Sequence, residues 1–213
     1  MDRALEAELL DSLPATDPEA RRSRRDLRVV NAVMGNERWL RRQLQRWVNP
    51  GEAVLEIGAG EGRLRKAAGA GLNYAGLDLG PRPDDWPPEA AWHQVDVREF
   101  RGWSAYPVIC GNLFFHHFSD AELAELGQRL VRSARVVLAS EPARGTGWQK
   151  LFATMCRLLG AGKVTRHDGH VSIAAGFAGD ELPQWLGLDP HRGWCCTAHR
   201  GGVGAYRLVA IRS

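Results

Sequence analysis

The sequence predicts an α/β fold in which helices cover both faces of a mostly parallel sheet. Two observations carry this prediction. Short apolar runs alternate with helical segments after residue 50, and a glycine-rich loop directly follows the first run. Both are typical of an open, doubly wound sheet whose strands are joined by crossover helices. The runs that predict strands are residues 53–58, 74–79, 92–97, 107–115, 134–141 and 205–212.

A helical cap is expected over residues 1–49. Asp17 followed by Pro18 predicts the N-cap and the first position of a helix that ends near Gly35. A second helix follows, with apolar residues at helical spacing from Trp39 onwards. At 213 residues, the chain is long enough for a single α/β domain with a substantial core.

The core is expected over residues 50–142. Within it, Gly69-Ala70-Gly71 closes a short helix after the glycine loop. A longer helix is predicted from Asp120 to Arg132. Ser119 is its expected N-cap, and Glu122 is the partner in a capping box.

Residues 143–193 interrupt the alternation and are predicted to cover the site as a lid before the C-terminal strands of residues 194–213. Residues 147–162 form an amphipathic helix in this prediction, and residues 163–177 form a loop or a short strand. Another helix begins at Gly179-Asp180. An insertion of this size between the last strands is typical of a segment that covers a ligand site.

Charge and composition disfavour several partners. A net charge of +3 is too small to indicate nucleic acid or a membrane surface, and no run approaches the roughly 18 apolar residues that a membrane span requires. The acidic N-terminus lacks the apolar core of a signal peptide, so a cytoplasmic protein is expected. A cluster of arginines is interpreted mainly as a solvated helix face; it comprises Arg21, Arg22, Arg24, Arg25 and Arg28. The cysteines show no zinc-like spacing and are expected to be free thiols; they are Cys110, Cys156, Cys195 and Cys196.

The loop after the first strand reads Glu56-Ile57-Gly58-Ala59-Gly60-Glu61-Gly62. Its glycines let the backbone approach a ligand closely. An acid precedes the glycines, and Glu61 lies where a helix N-terminus would otherwise receive a pyrophosphate. A ligand with a cationic amino acid portion and no phosphates therefore fits this loop better than a dinucleotide does.

Together with three later motifs, this loop resembles motif I of class I S-adenosylmethionine-dependent methyltransferases. Asp78 ends the second strand in YAGLDL, Asp96 follows the third in HQVDV, and Asn112 ends the fourth in VICGNLFFHHFSD. The LFFHHFSD stretch is similar to the small-molecule branch, which includes methyltransferase type 11 and quinone-biosynthesis-like enzymes. The resemblance covers roughly residues 50 to 141.

The resemblance implies a Rossmann-like sheet of seven strands, with S-adenosyl-L-methionine as cofactor and S-adenosyl-L-homocysteine as product. Asp78 would hold the ribose hydroxyls, and Asp96 and Val97 would contact the adenine. Glu56 and the glycine loop would hold the methionine portion, directly or through water, and Asn112 would lie beside the sulfur. The implied cofactor-binding residues are Glu56, Gly58, Ala59, Gly60, Asp78, Leu79, Asp96, Val97 and Asn112.

The methyl acceptor is expected to be a small molecule. Enzymes that methylate amino groups of nucleic acids resemble one another in a [DNS]PP[YFW] motif, whereas the stretch that starts at Asn112 has no proline. Cytosine-carbon enzymes use a Pro-Cys nucleophile, but Cys110 follows Ile109 and is expected to be a buried strand residue. We expect methylation of a phenolic or polyketide-like hydroxyl. Carbon methylation of quinone-type aromatics and a non-catalytic cofactor-binding partner protein remain alternatives, as do monomer and homodimer.

A hydroxyl acceptor benefits from a histidine base. His117, five residues past Asn112, is preferred over His116, and the alternative role of either histidine is packing or capping beside the cofactor. His167 in TRHDGHVS is a second candidate base, because Asp168 could orient it; the same stretch could instead be a polar turn.

A metal site is not expected. A cluster of His167, Asp168 and His170 is disfavoured, and no carboxylate follows the fourth strand before Asp120. Tryptophans at helical spacing either line the acceptor pocket or belong to the core; they are Trp39, Trp47 and Trp148.

Overall fold

The computed structural model describes residues 1–14, 16–69 and 71–213, and a seven-stranded sheet forms its centre. The strands are β1 (Ala53–Ile57), β2 (Asn73–Asp78), β3 (Ala91–Gln94), β4 (Val108–Asn112), β5 (Val136–Pro142), β6 (Trp194–Arg200) and β7 (Ala205–Arg212). Their order across the sheet is β3-β2-β1-β4-β5-β7-β6. The first five strands are parallel, and β7 is antiparallel to both of its neighbours. The predicted fold class is confirmed.

Helices cover both faces of this sheet. They are α1 (Leu9–Ser12), α2 (Pro18–Met34), α3 (Asn36–Trp47), α4 (Arg63–Ala68), α5 (Asp120–Ser133), α6 (Thr146–Leu158), α7 (Lys163–Ala175) and α8 (Glu181–Trp185). The predicted caps are present: the Asp17 carboxylate accepts from the first amides of α2, and Ser119 and Glu122 form the capping box of α5. No helix within the described ranges is long and apolar enough to cross a membrane.

Alternate residues of the central strands pack on opposite faces of the sheet, as the period of two in a strand requires. Leu55 and Ile57 of β1 pack on the face covered by α5 and α8. Val54 packs on the face covered by α3 and α4, and so does Cys110. Cys110 is therefore a buried core residue, as predicted.

The prediction of a loop or short strand over residues 163–177 is wrong, because Lys163–Ala175 is the helix α7. Its buried positions include Val164, Asp168 and Val171, which follow helical spacing. Because Asp168 occupies a buried position, the helical period of apolar residues was not visible in the sequence. The Asp168-Gly169 pair is also typical of a turn. A Cβ atom at position 169 would lie 2.1 Å from the ring of Phe152, so this glycine permits close contact with α6.

Two predicted boundaries also shift. The fourth strand ends at Asn112, and the chain then forms a 3₁₀ turn over Phe115–His117. The third strand ends at Gln94, so Asp96 lies in the loop beyond it. The helix α4 ends at Ala68, with Gly69 as its C-cap. Ala70, at the centre of the predicted stop signal, lies outside the described residues.

Candidate active site

Four polar side chains lie at the carboxyl edge of the sheet, where open α/β folds bind ligands. Glu56 belongs to β1 and Asp78 ends β2. Asn112 ends β4, and Glu141 lies at the corresponding end of β5. Because these strands are parallel neighbours, the fold brings together side chains that are far apart in the sequence.

The glycine loop adopts a backbone conformation that residues with a side chain would disfavour at these positions. Gly58 has φ 67°, and a Cβ atom there would lie 2.3 Å from the ring of Phe114. Gly60 has φ 50°, and a Cβ atom there would meet no atom within 4 Å. The loop is therefore packed closely on one side and open on the other, as a backbone that receives a ligand must be.

Asp78 is tied to this loop. One oxygen of its carboxylate accepts from the amide of Gly60 at 2.8 Å, and the other accepts from the amide of Gly80 at 2.8 Å. These bonds hold the carboxylate in one orientation, and each oxygen retains a lone pair for a further donor.

Glu56 is buried and only 3% exposed. Burial raises the pKa of its carboxyl group to about 8, with small additions from the charges of Asp78 and Glu37. The hydroxyl of Tyr74 donates to it at 2.8 Å and opposes the shift. Glu56 is thus held largely neutral at pH 7 until a cation approaches it.

Three adjoining cavities surround this edge. The outer cleft has a volume of about 700 Å³, and the loop cavity and the apolar cavity have about 290 Å³ each. The outer cleft is lined by residues that include Asp78, Leu79, Asp96 and Val97. The loop cavity is lined by residues that include Glu56, Gly58, Ala59, Gly60 and Asn112. All nine residues predicted to bind a cofactor therefore line one of two neighbouring cavities.

Asn112 fits a ligand in the loop cavity. Its Oδ1 atom is buried without a hydrogen-bond partner in the protein, whereas its Nδ2 atom donates to Asn31 at 3.5 Å. A buried acceptor without a partner is costly, and a ligand donor would remove that cost. With the open side of Gly60, this acceptor makes the edge suited to a polar ligand.

Leu113 lines all three cavities. Its φ of 54° lies in the left-handed region, which is unfavourable for a leucine. Its amide donates to the carbonyl of Ser140 at 2.8 Å, which helps to hold this conformation. The chain therefore turns sharply at the point where the cavities meet.

His116 lies beneath this turn and forms a buried ion pair with Glu141 and a longer contact with Glu8. Its Nδ1 atom lies 2.7 Å from Glu141, and its Nε2 atom lies 3.6 Å from Glu8. Burial opposes a charge on the ring, but the two glutamates outweigh it and raise the pKa of His116 to about 9. The fully buried Glu141 also accepts from the amides of Phe114 and Phe115 at 2.9 and 3.0 Å.

His117 lies on the wall that the outer cleft and the apolar cavity share. Its ring is open to these cavities, and its centroid lies 4.1 Å from that of His116. The surrounding protein atoms lower the pKa of His117, and the positive charge of His116 lowers it further. His117 is therefore neutral at pH 7, the form that accepts a proton.

One group among the described residues has the arrangement of metal ligands. Glu8, His116 and His117 offer ligand atoms that all lie within 4.8 Å of one another. With a pKa of about 9, His116 is protonated at neutral pH, so a cation would have to displace that proton. The ion pair with Glu8 and Glu141 accounts for the burial of His116 without a metal.

The structure separates His167 from His117. His167 lines a surface groove with Lys163, Arg166 and His170, and it lines neither the outer cleft nor the apolar cavity. Its Nδ1 atom lies 3.0 Å from Asp168. The carboxylate of Asp168 accepts from the amides of Leu9 and Leu10 at 2.8 and 3.0 Å, and so caps α1.

The three tryptophans divide between core and cavity. Trp148 lines the apolar cavity. Trp39 is buried on the α3 side of the sheet, with the guanidinium of Arg207 5.2 Å from its ring, and Trp47 packs against the same core. Only Trp148 among them can contact a ligand in the apolar cavity.

Part of the arginine cluster faces the site. Arg24 and Arg28 line the loop cavity, and Arg28 lies 3.4 Å from Glu61. This ion pair offsets the negative charge that Glu61 brings to the loop, so the expected repulsion of phosphate is weaker than the sequence suggests. Of the two glutamates, the buried Glu56 is therefore a stronger argument than Glu61 for a ligand with a cationic amino acid portion.

Sequence reasoning missed three residues of the site. Glu141 ends an apolar run as Glu56 does, and this parallel could have indicated a buried acid at the edge of the sheet. Asn31 and Glu8 had no such signal, because only the tertiary fold brings α2 and the N-terminal segment to the cavities.

The sheet order and the flanking helices are those of the α/β fold of S-adenosylmethionine-dependent methyltransferases. The sequence matches no protein-family model and no curated protein. The structure is similar to the plantazolicin methyltransferase BpumL in complex with SAH, with a TM-score of 0.70 and 12% identity over 93% of this chain and 91% of that one.

Two further solved structures share the fold. The pyocyanin biosynthetic protein PhzM has a TM-score of 0.58 and 16% identity, over 97% of this chain and 62% of that one. Magnesium protoporphyrin IX methyltransferase (ChlM) from Synechocystis PCC 6803, with bound SAM, has a TM-score of 0.56 and 15% identity, over 93% and 88%. At these identities the likeness establishes the fold.

Proposed function

We propose that this chain transfers a methyl group from S-adenosylmethionine to a small-molecule acceptor, and that the acceptor group is a phenolic hydroxyl. The observation that carries the proposal is the position of His117, on the wall between a polar cleft and an apolar cavity. A base at that boundary can contact a hydroxyl whose carrier lies on the apolar side.

The chain holds the cofactor with the residues already described. The oriented carboxylate of Asp78 would accept hydrogen bonds from the ribose hydroxyls, and Asp96 and Val97 would contact the adenine in the outer cleft. Glu56 lies in the loop cavity, where it receives the amino group of the methionine portion. When bound, the cofactor supplies a methyl group on a cationic sulfur.

His117 would accept the proton of the acceptor hydroxyl. The bound S-adenosylmethionine would supply the methyl group and leave as S-adenosylhomocysteine, whose sulfur keeps the electron pair of the broken sulfur–carbon bond. Burial lowers the pKa of His117 and keeps its ring neutral beforehand, and the charge of His116 adds to this effect. Glu8 and Glu141 balance the charge of His116. The apolar cavity excludes water and aligns the acceptor, which contributes much of the rate of an in-line displacement.

Asp78→Ala is expected to weaken binding of S-adenosylhomocysteine at least tenfold, about 1.4 kcal/mol, because two hydroxyls lose a charged acceptor. Isothermal titration calorimetry on the purified protein measures this change. Asp84→Ala, which removes an exposed acid from the following loop, is the matched control and should leave the affinity unchanged. Equal affinity of Asp78→Ala and the wild type would exclude the ribose assignment.

His117→Gln is expected to lower kcat for a phenol by about 10²–10⁴-fold, because the base is lost. The assay follows labelled methyl transfer from S-adenosylmethionine to phenols. His170→Gln, on the outer side of α7, is the control and should retain wild-type turnover. NMR of the product locates the methyl group: a methyl on ring carbon would favour carbon methylation, and cofactor binding without transfer to any acceptor would favour a non-catalytic partner.

A further inference from the structure

The polar and the apolar side chains that line the apolar cavity lie in different parts of it. Its walls come from α2, through Val30 and Val33, and from α6, through Leu151 and Phe152. Ligand pockets are lined mainly by such side chains, with a few polar groups that fix orientation. The position of those polar groups therefore defines the orientation of a bound ligand.

The polar side chains of this cavity all lie at one end. Glu8, Asp11, His116, His117 and Ser172 line the apolar cavity, and each of them also lines the outer cleft. Every other described residue in the lining is apolar or a glycine, apart from the single indole N–H donor of Trp148. A ligand that fits therefore carries its polar groups mainly at the end next to the cleft.

The mouth of the cavity is the exposed part of its aliphatic lining. Val33, Leu151 and Val203 line the cavity and are 45%, 42% and 40% exposed. Val29, one helical turn before Val33, is 50% exposed. Exposed aliphatic residues around an opening mark a surface that binds apolar material. A ligand longer than the cavity of about 290 Å³ can therefore leave through this mouth without contacting a polar wall.

We infer that the acceptor is amphiphilic: a hydroxylated aromatic ring at His117 that carries a linear aliphatic chain extending between α2 and α6. This inference rests on the proposed function and adds the chemical class of the substrate. A linear chain suits the site because it can lie along the apolar part of the lining and continue past the exposed aliphatic side chains. A compact polar acceptor would leave the cavity unfilled.

The test uses the full chain and a series of 3-alkylphenols with chains of one to eleven carbons, each below its aggregation concentration. Affinity for the protein, with and without S-adenosylhomocysteine, is measured by isothermal titration calorimetry. Affinity should rise about three- to fourfold per methylene and level off once the chain reaches the mouth. KM for methyl transfer should fall in parallel.

Two matched variants of α6 locate the chain. Leu151→Asp puts a charge on the cavity wall and should weaken binding of the longest phenol at least tenfold. Leu158→Asp makes the same change at a position that is 82% exposed and outside the apolar cavity, and should have no effect. Circular dichroism melting of both variants establishes that they fold.

The outcomes separate this inference from the proposed function. Affinity and KM that do not depend on chain length would overturn the inference even if short phenols are methylated. Equal effects of the two aspartate variants would also overturn it. Failure to bind S-adenosylhomocysteine, with the dependence on chain length intact, would instead overturn the proposed function.

Discussion

Glu141→Gln is expected to destabilise the protein by about 3 kcal/mol, the largest loss of stability that we predict for a single isosteric change. The carboxylate of Glu141 is fully buried, pairs with the ring of His116 and accepts hydrogen bonds from three backbone amides of the turn after β4. Removing one partner of a buried ion pair leaves the other without compensation. For a chain of this length, the melting temperature should fall by about 6–12 °C.

The pH dependence of this destabilisation shows whether the ion pair between Glu141 and His116 is its cause. The pKa of His116 in the folded protein is about 9, above its value of about 6.5 in the unfolded chain. The ion pair therefore contributes its full stability below pH 6.5 and loses it as the pH rises towards 9. The difference in unfolding free energy between wild type and Glu141→Gln should shrink over that window.

Chemical denaturation at a series of pH values measures this difference, and NMR titration of His116 follows its pKa directly. In Glu141→Gln, the pKa of His116 should fall from about 9, because only Glu8 remains to oppose the effect of burial. Asp85→Asn, which removes a surface ion pair with Lys66, is the control and should cost less than about 1 kcal/mol. A constant difference between pH 6 and 9 would show that Glu141 acts only through its hydrogen bonds to the backbone.

The candidate cofactor residues that the sequence predicted depend on local patterns. Glu56, Asp78 and Asn112 each end an apolar run, and parallel strands bring such ends to one edge. The glycine loop follows the first run directly. Local order along the chain was therefore sufficient to place all nine predicted cofactor residues around two adjoining cavities.

The acceptor side depends on contacts between distant segments, which no local pattern reports. Asp168 was interpreted as a possible turn residue because the sequence gives no sign of its partners. These are the amides of Leu9 and Leu10, which lie near the other end of the chain. The same contact brings Glu8 towards His116. The sequence placed two histidines after β4, but their different environments arise from Glu8 and Glu141, one in the N-terminal segment and one at the end of β5.

Glu56→Gln is expected to stabilise the ligand-free protein at alkaline pH and to weaken cofactor binding. Burial raises the pKa of Glu56 from 4.5 to about 8, so the folded state binds more protons than the unfolded state between these values. The contribution of Glu56 to stability is therefore highest below about pH 4.5 and decreases as the pH rises to 8. Glutamine resembles the protonated acid and removes this loss, which is about 5 kcal/mol above pH 8.

Cofactor binding should show the opposite sign. An ammonium group in the loop cavity favours the ionised form of Glu56, so the wild type should release up to one proton on binding S-adenosylhomocysteine at pH 6.5. Calorimetry in buffers of different ionisation enthalpy counts that proton, and Glu56→Gln should release none of it. Tyr74→Phe is a second variant: it removes the bond that favours ionised Glu56 and should reduce affinity while proton release persists. If Glu56→Gln bound the ligand as tightly as wild type and released the same proton, Glu56 would have no contact with the amino group, and its burial would serve the fold alone.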